Sequence, residues 1–183
     1  EKLDICGQEY AIRSDYRVIL EICLALNDPD LSSSEKAFVV LDLFYPEFER
    51  MPPDVYQEAV EKCFWFINCG DEESKQKAPK LVDWEQDFRY IVAPINRVCG
   101  KDIRSIPYDE ETNTGGFHWW TFISCYYEIG DCLFAQIVRI RNAKARGKAL
   151  DKADKEWLRQ NRHLVEFKNK YSSAEEDILK QWA

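Results

Sequence analysis

The chain has little of what catalytic and metal-bearing sites are usually built from. Only two histidines, His118 and His163, and one methionine occur in 183 residues. No two cysteines stand in a C-x-x-C pair, which excludes zinc ribbons and dithiol oxidoreductase motifs. The patterns G-x-x-x-x-G-K-[ST], G-x-G-x-x-G and G-x-S-x-G are all missing, and with them the common phosphate cradles and the hydrolase elbow. Glycine and proline number seven each, too few for a low-complexity chain and few enough to allow long regular elements. No apolar run is long enough to cross a bilayer. The longest, Phe117 to Ile129, is broken by His118, Ser124 and Glu128. The opening residues do not read as a charged-then-apolar signal segment.

What is present points to a helical core. Hydrophobic residues make up 45% and aromatics 14%, enough to bury a core without staples. The length fits a single helical domain over 1–183. The net charge of −8 is unevenly spread: residues 1–130 carry −12 and residues 131–183 carry +4. An acidic body with a basic end disfavours bulk nucleic-acid binding. It permits complementary contacts between copies of the chain, as in a homo-oligomer, or with an oppositely charged partner. Cys23, Cys99 and Cys125 fall in apolar helical patterns. The seven cysteines therefore read as reduced core thiols, which implies a reducing cytosol.

The first residues alternate as a β-hairpin over 1–13 turning at Gly7-Gln8. A helix then starts at Tyr16, with Ser14 as its N-cap, and ends at Asn27-Asp28-Pro29. Ser32 and Glu35 form a capping box ahead of AFVVLDLFY, a helix apolar nearly all round and so expected to be central. Pro52-Pro53 opens a third helix that closes near Gly70. Residues 71–82 are polar and read as a mobile loop. Asp83 caps an amphipathic helix with an internal Pro94 and a terminal Gly100. After a long connection come an aromatic helix over 116–128, expected to be surrounded, and basic C-terminal helices over 131–183. Asp131 and Asp151 are expected as caps, and Ser173 opens a last short helix to Trp182. The predicted fold is mainly α: a compact multi-helix domain with a small N-terminal β-hairpin.

Candidate sites are few. His118, Cys125 and Cys132 lie seven apart, a poor match to compact zinc spacing, and His118 beside two tryptophans reads as a hydrogen-bonded structural residue. Gly115-Gly116 reads as slack at a helix entry. No metal, cofactor or catalytic residue is expected. The aromatic run and the basic helix are the features suited to a partner. The candidate partner-binding residues are Trp119, Trp120, Arg139, Arg141 and Arg146. The arginines also have a plain reading, as the solvated face of an amphipathic helix near its negative end.

At these residues the chain resembles a known family. FHWWTFISCYYEIGDCLFAQIVRIRNAKARGK is similar to the signature of the bacteriophage gene-product-fifteen family of phages and prophages of Gram-positive bacteria. The likeness rests on His118, Trp119, Trp120 and Phe122, then Gly130, Asp131, Phe134, Ile137, Ile140 and Arg141, and a basic tail. Ser14, Asp15, Tyr16 and Arg17 also match the family's opening. The resemblance covers essentially the whole chain; Phe117 stands where a leucine is common. It implies a non-enzymatic protein of the tail module, whose genes lie just ahead of the tape-measure gene, and no catalytic residues. The expected function is tail assembly in the host bacterial cytoplasm, as a chaperone for the tape-measure protein or another tail protein. The alternatives are a structural virion component, such as a tail-completion or connector subunit, and a nucleic-acid-binding packaging factor.

Overall fold

The computed structural model describes residues 1–71 and 78–168. Its contacts gather these residues into two compact units, where the sequence reads as one domain. The first holds 1–71 with 104–123 and the second 78–103 with 124–168. The mainly α class holds. Eight α-helices and two short antiparallel strand pairs make up the described elements, together with single turns of 3-10 helix.

The first unit begins with strands β1 (Lys2–Ile5) and β2 (Gln8–Ala11), paired Leu3 to Tyr10 and Ile5 to Gln8. That register makes Cys6 and Gly7 the turn, one residue earlier than expected. Both have positive φ, 52° and 83°, as a two-residue hairpin turn compatible with strand twist requires. Alternation buries Ile5 and Tyr10 and leaves Asp4 and Glu9 outside.

Helix α1 (Tyr16–Leu26) buries Tyr16, Val18, Ile19 and Ile22. Its N-cap is Asp15, not Ser14. The reason is valence. The Asp15 carboxylate is 3% exposed and accepts from Arg17 N (2.9 Å), from Phe117 N (2.6 Å) and from the Arg17 guanidinium at 3.1 Å. A serine hydroxyl could not take that many donors. Ser14 contributes its backbone carbonyl instead, accepting from Trp119 N at 2.8 Å. Asp15 thus ties the start of α1 to the chain returning at 116–119. Gly116 sits at φ 86°, and a Cβ there would collide with this carboxylate, so glycine is required. Just before it, β3 (Tyr108–Asp109) and β4 (Thr114–Gly115) make a two-rung hairpin that the sequence did not reveal.

Helix α2 (Ser33–Phe44) is opened by the expected capping box: Ser32 Oγ accepts from Glu35 N, and the Glu35 carboxylate accepts from Ser32 N. It is not central all round. Val40, Leu41 and Phe44 are buried against α1 and against α3 (Tyr56–Ile67), but Phe38 is 55% exposed. Pro53 starts a 3-10 turn that runs into α3, which buries Ala59, Cys63 and Phe66.

In the second unit, α4 (Trp84–Cys99) is capped by Asp83, which accepts from Gln86 N at 3.0 Å, and ends at Gly100 with φ 70°. Pro94 lies inside it, buried. Helix α5 (Trp119–Tyr127) starts in the first unit and ends in the second. It buries Trp119 and Phe122 but leaves Tyr127 76% exposed, so it is not surrounded. Helix α6 (Leu133–Ala145) is capped by Cys132, whose sulfur accepts from Ala135 N at 3.4 Å. The helix starts one residue too late for Asp131, which stays exposed. Asp151 caps α7 (Lys152–Gln160) as expected, and α8 (Arg162–Val165) follows. Ile91, Ile95, Phe134, Ile137, Ile140, Leu164 and Val165 form this unit's core. Residues 72–77 of the expected loop, Tyr171 and the helix expected from Ser173 to Trp182 lie outside the described residues. No helix among the described residues is long and apolar enough to cross a membrane.

Replacing Asp15 by alanine removes the cap and strands several buried donors. The expected loss is about 3 kcal/mol of unfolding free energy, read from a denaturant curve. Ser14→Ala should cost less than 0.5 kcal/mol, because only its backbone is engaged.

Candidate partner-binding surface

The two tryptophans singled out by the sequence belong to the first unit and share one task. Helix α3 ends with carbonyls that the helix itself leaves open, although Phe66 O also accepts from Cys69 N at 3.0 Å. Trp119 Nε1 donates to Ile67 O and Trp120 Nε1 donates to Phe66 O, both at 2.9 Å. Trp119 is 2% exposed and stacks on Phe122 at 5.3 Å between centroids, and Phe122 in turn stacks on Tyr16 at 5.1 Å. Trp120 is half-buried, edge-on to Trp65 at 5.7 Å. His118 opens α5 by accepting from Trp120 N through Nδ1 at 3.1 Å, while Nε2 meets the Glu1 carboxylate at 2.7 Å. It is the hydrogen-bonded structural residue that its surroundings suggested.

The three arginines belong to the second unit and have three different fates. Arg141 is 4% exposed, and all five of its N–H groups are used. Two go to Asp87, itself fully buried, at 2.5 and 3.0 Å. The others go to the carbonyls of Val165 (2.7 Å), Leu164 (3.0 Å) and Leu81 (3.0 Å). Its guanidinium also lies 4.1 Å from the centre of the Phe167 ring. Arg139 is half-exposed and paired with Asp154, one contact being 2.6 Å. This pair holds the Asp154 carboxyl below its usual range, through the hydrogen bond from Arg139 above all. Arg146 is exposed and meets only Asn142 of its own helix, at 2.8 Å, among the contacts described. Trp119 and Arg141 therefore present almost no surface to a partner, while Trp120, Arg139 and Arg146 retain some.

A depression of about 650 Å³ beside Arg141 is lined by Lys80, Lys144 and Glu166, with Phe167. It does not make an anion site, because its cations are already matched. Lys80 pairs with Asp83 at 2.9 Å, Lys144 with Glu166 at 3.8 Å and Arg141 with Asp87.

The surface that reasoning from the sequence missed lies in the first unit. Helices α2 and α3 pack along one line and leave an almost wholly apolar groove of about 410 Å³ on their outer side. Ala37, Phe38 and Leu41 line it from α2; Tyr56, Val60 and Phe64 line it from α3. Glu61 is its single charged lining residue and holds Gln57 at 3.1 Å. Phe38, Phe48 and Tyr56 form an aromatic cluster at one end, with centroids 5.2 to 6.1 Å apart. The signal for this face was in the sequence. A helix apolar all round is either enclosed or lacks a partner on one side.

Comparison with known proteins agrees with the signature. A family model described as Bacteriophage Gp15 protein matches residues 2–167. The chain belongs to this bacteriophage family. Neither the curated proteins nor the solved structures gave a match.

Arg141→Ala leaves Asp87 buried and unpaired and should cost about 3–5 kcal/mol in chemical denaturation. Arg141→Lys should recover little of it, since three donors cannot replace five. Arg146→Ala should stay within about 0.5 kcal/mol of the parent.

Proposed function

We propose that this Gp15 protein is a non-enzymatic tail-assembly factor that holds the tape-measure protein before the tail polymerises in the host cytoplasm. The observation that carries the reading is the groove between α2 and α3. Its width, set by two packed helices, and its apolar floor suit an amphipathic helix laid in with its oily stripe down. The occupant has a stated chemistry. Glu61 at the groove and the −12 charge of residues 1–130 favour a helix whose apolar stripe is flanked by lysine or arginine. A tape measure is long, helical and oily, and such a chain aggregates unless its apolar stripe is covered. The half-exposed Trp120 and Trp65 offer a second apolar contact in the same unit.

Co-expression with the cognate tape measure tests this. A soluble complex should form, and Phe38→Glu should weaken it at least tenfold while moving the melting midpoint of the free protein by less than about 2 °C. Absence of any complex, or one indifferent to Phe38, refutes the reading. Mass spectrometry of purified particles decides the neighbouring alternative: retention in the virion points to a structural component.

A further inference from the structure

Cys99 closes α4 and Cys125 lies in the second half of α5, both within the second unit and both half-buried. Their sulfurs are 2.7 Å apart, with Cys99 donating to Cys125. That is closer than two non-bonded sulfurs ordinarily rest, and a disulfide requires about 2.05 Å. The chain between them, residues 100–124, is the stretch that leaves the second unit and returns to it. A bond here would therefore close that excursion at its base.

We propose that Cys99 and Cys125 are an oxidisable pair that closes to an intramolecular disulfide by exchange with a small-molecule disulfide such as oxidised glutathione, locking the end of α4 to α5. Cys125 is the sulfur that receives the hydrogen bond, and its thiolate attacks first. Its proton passes to water, its sulfur bonds one sulfur of the oxidant, and the first glutathione leaves as thiolate. Cys99 then loses its proton and attacks the Cys125 sulfur, expelling the second glutathione. Two protein thiols are oxidised and one oxidised glutathione is reduced to two thiols. Burial first, then the hydrogen bond to Cys125, raise the Cys99 thiol well above its ordinary range. Closure is therefore the slow, base-accelerated step. The pair stays open where glutathione is mostly reduced and closes in oxidising surroundings.

The test uses the full-length chain, folded, incubated with oxidised glutathione, quenched with acid and digested without reductant. Mass spectrometry should find the Cys99 and Cys125 peptides joined, two hydrogens lighter than their sum. The melting midpoint should rise by roughly 5 °C or more and fall back on adding reductant. Cys125→Ser should abolish both effects. Recovery of Cys99 and Cys125 as free thiols, as two separate glutathione adducts or in bonds to other cysteines overturns the pair. A joined peptide without a melting shift overturns the lock. The wild-type peptide map decides the bond even if the serine variant fails to fold.

Discussion

A helix that ends inside a protein leaves carbonyl groups that neither water nor a further turn can satisfy, and this constraint organises both units. Helix α2 ends on Arg13, whose guanidinium donates to the carbonyls of Asp42 and Leu43 at 2.9 Å. Helix α3 ends on the indoles of Trp119 and Trp120. Helix α8 ends on Arg141, which reaches Leu164 and Val165. Each closing group comes from a distant part of the chain. The caps are therefore tertiary contacts that exist only when the helices are correctly placed. A hydrogen bond of this kind adds about 1 kcal/mol net, but a buried group left unpaired costs about 1–3 kcal/mol. The energetic penalty on misplaced packings exceeds the gain in the native one, so these contacts select the fold more than they strengthen it.

This changes what the signature block means. His118, Trp119, Trp120 and Arg141 carry the resemblance to the phage family, and in the structure all four are engaged in closing or starting helices. Arg141 is the clearest case. A guanidinium and a carboxylate withdrawn from water each cost several kcal/mol, and their attraction repays this only when the remaining donors are also satisfied. Val165, Leu164 and Leu81 supply the acceptors. Trp119 and Arg141, buried and so committed, present almost no surface for recognition, while Trp120 keeps part of its ring exposed. The apolar groove between α2 and α3 lies outside the signature block.

Much of the local grammar was legible. The Ser32–Glu35 box, the Asp83 and Asp151 caps and the terminal Gly100 are short-range devices, written within four residues of where they act. The hairpin was legible too, although its turn slipped by one residue because Cys6, an unusual occupant of a positive-φ position, gave no signal. What failed were choices made at long range. Ser14 and Asp15 are equally good caps by type, and only the approach of Phe117 N decides between them. Arg139, Arg141 and Arg146 look alike on one helix. Asp87, more than fifty residues away, decides which is buried. The two-rung hairpin before Gly116 is too short to leave an alternation pattern. For the candidate site, the composition of α2 held the clue. The one-sidedness of its packing did not appear until α1 and α3 were in place.

The groove also sets a limit on affinity that bears on how it could be used. Burying a side chain the size of Phe38 yields about 1.5–3 kcal/mol, and a groove of about 410 Å³ admits only a few such anchors. Association itself costs at least about 4 kcal/mol in lost freedom before any contact is counted. A helix seated in one such groove would therefore be held weakly. For an enzyme inhibitor that would be a defect. Under the tail-assembly reading proposed above, it is the balance required of a factor that covers a long chain and then gives way to a polymerising tube. Copies bound independently along such a partner leave one at a time, without the added hold that linked sites would give. Tight binding at any one site would instead block the replacement of the cover by the tube.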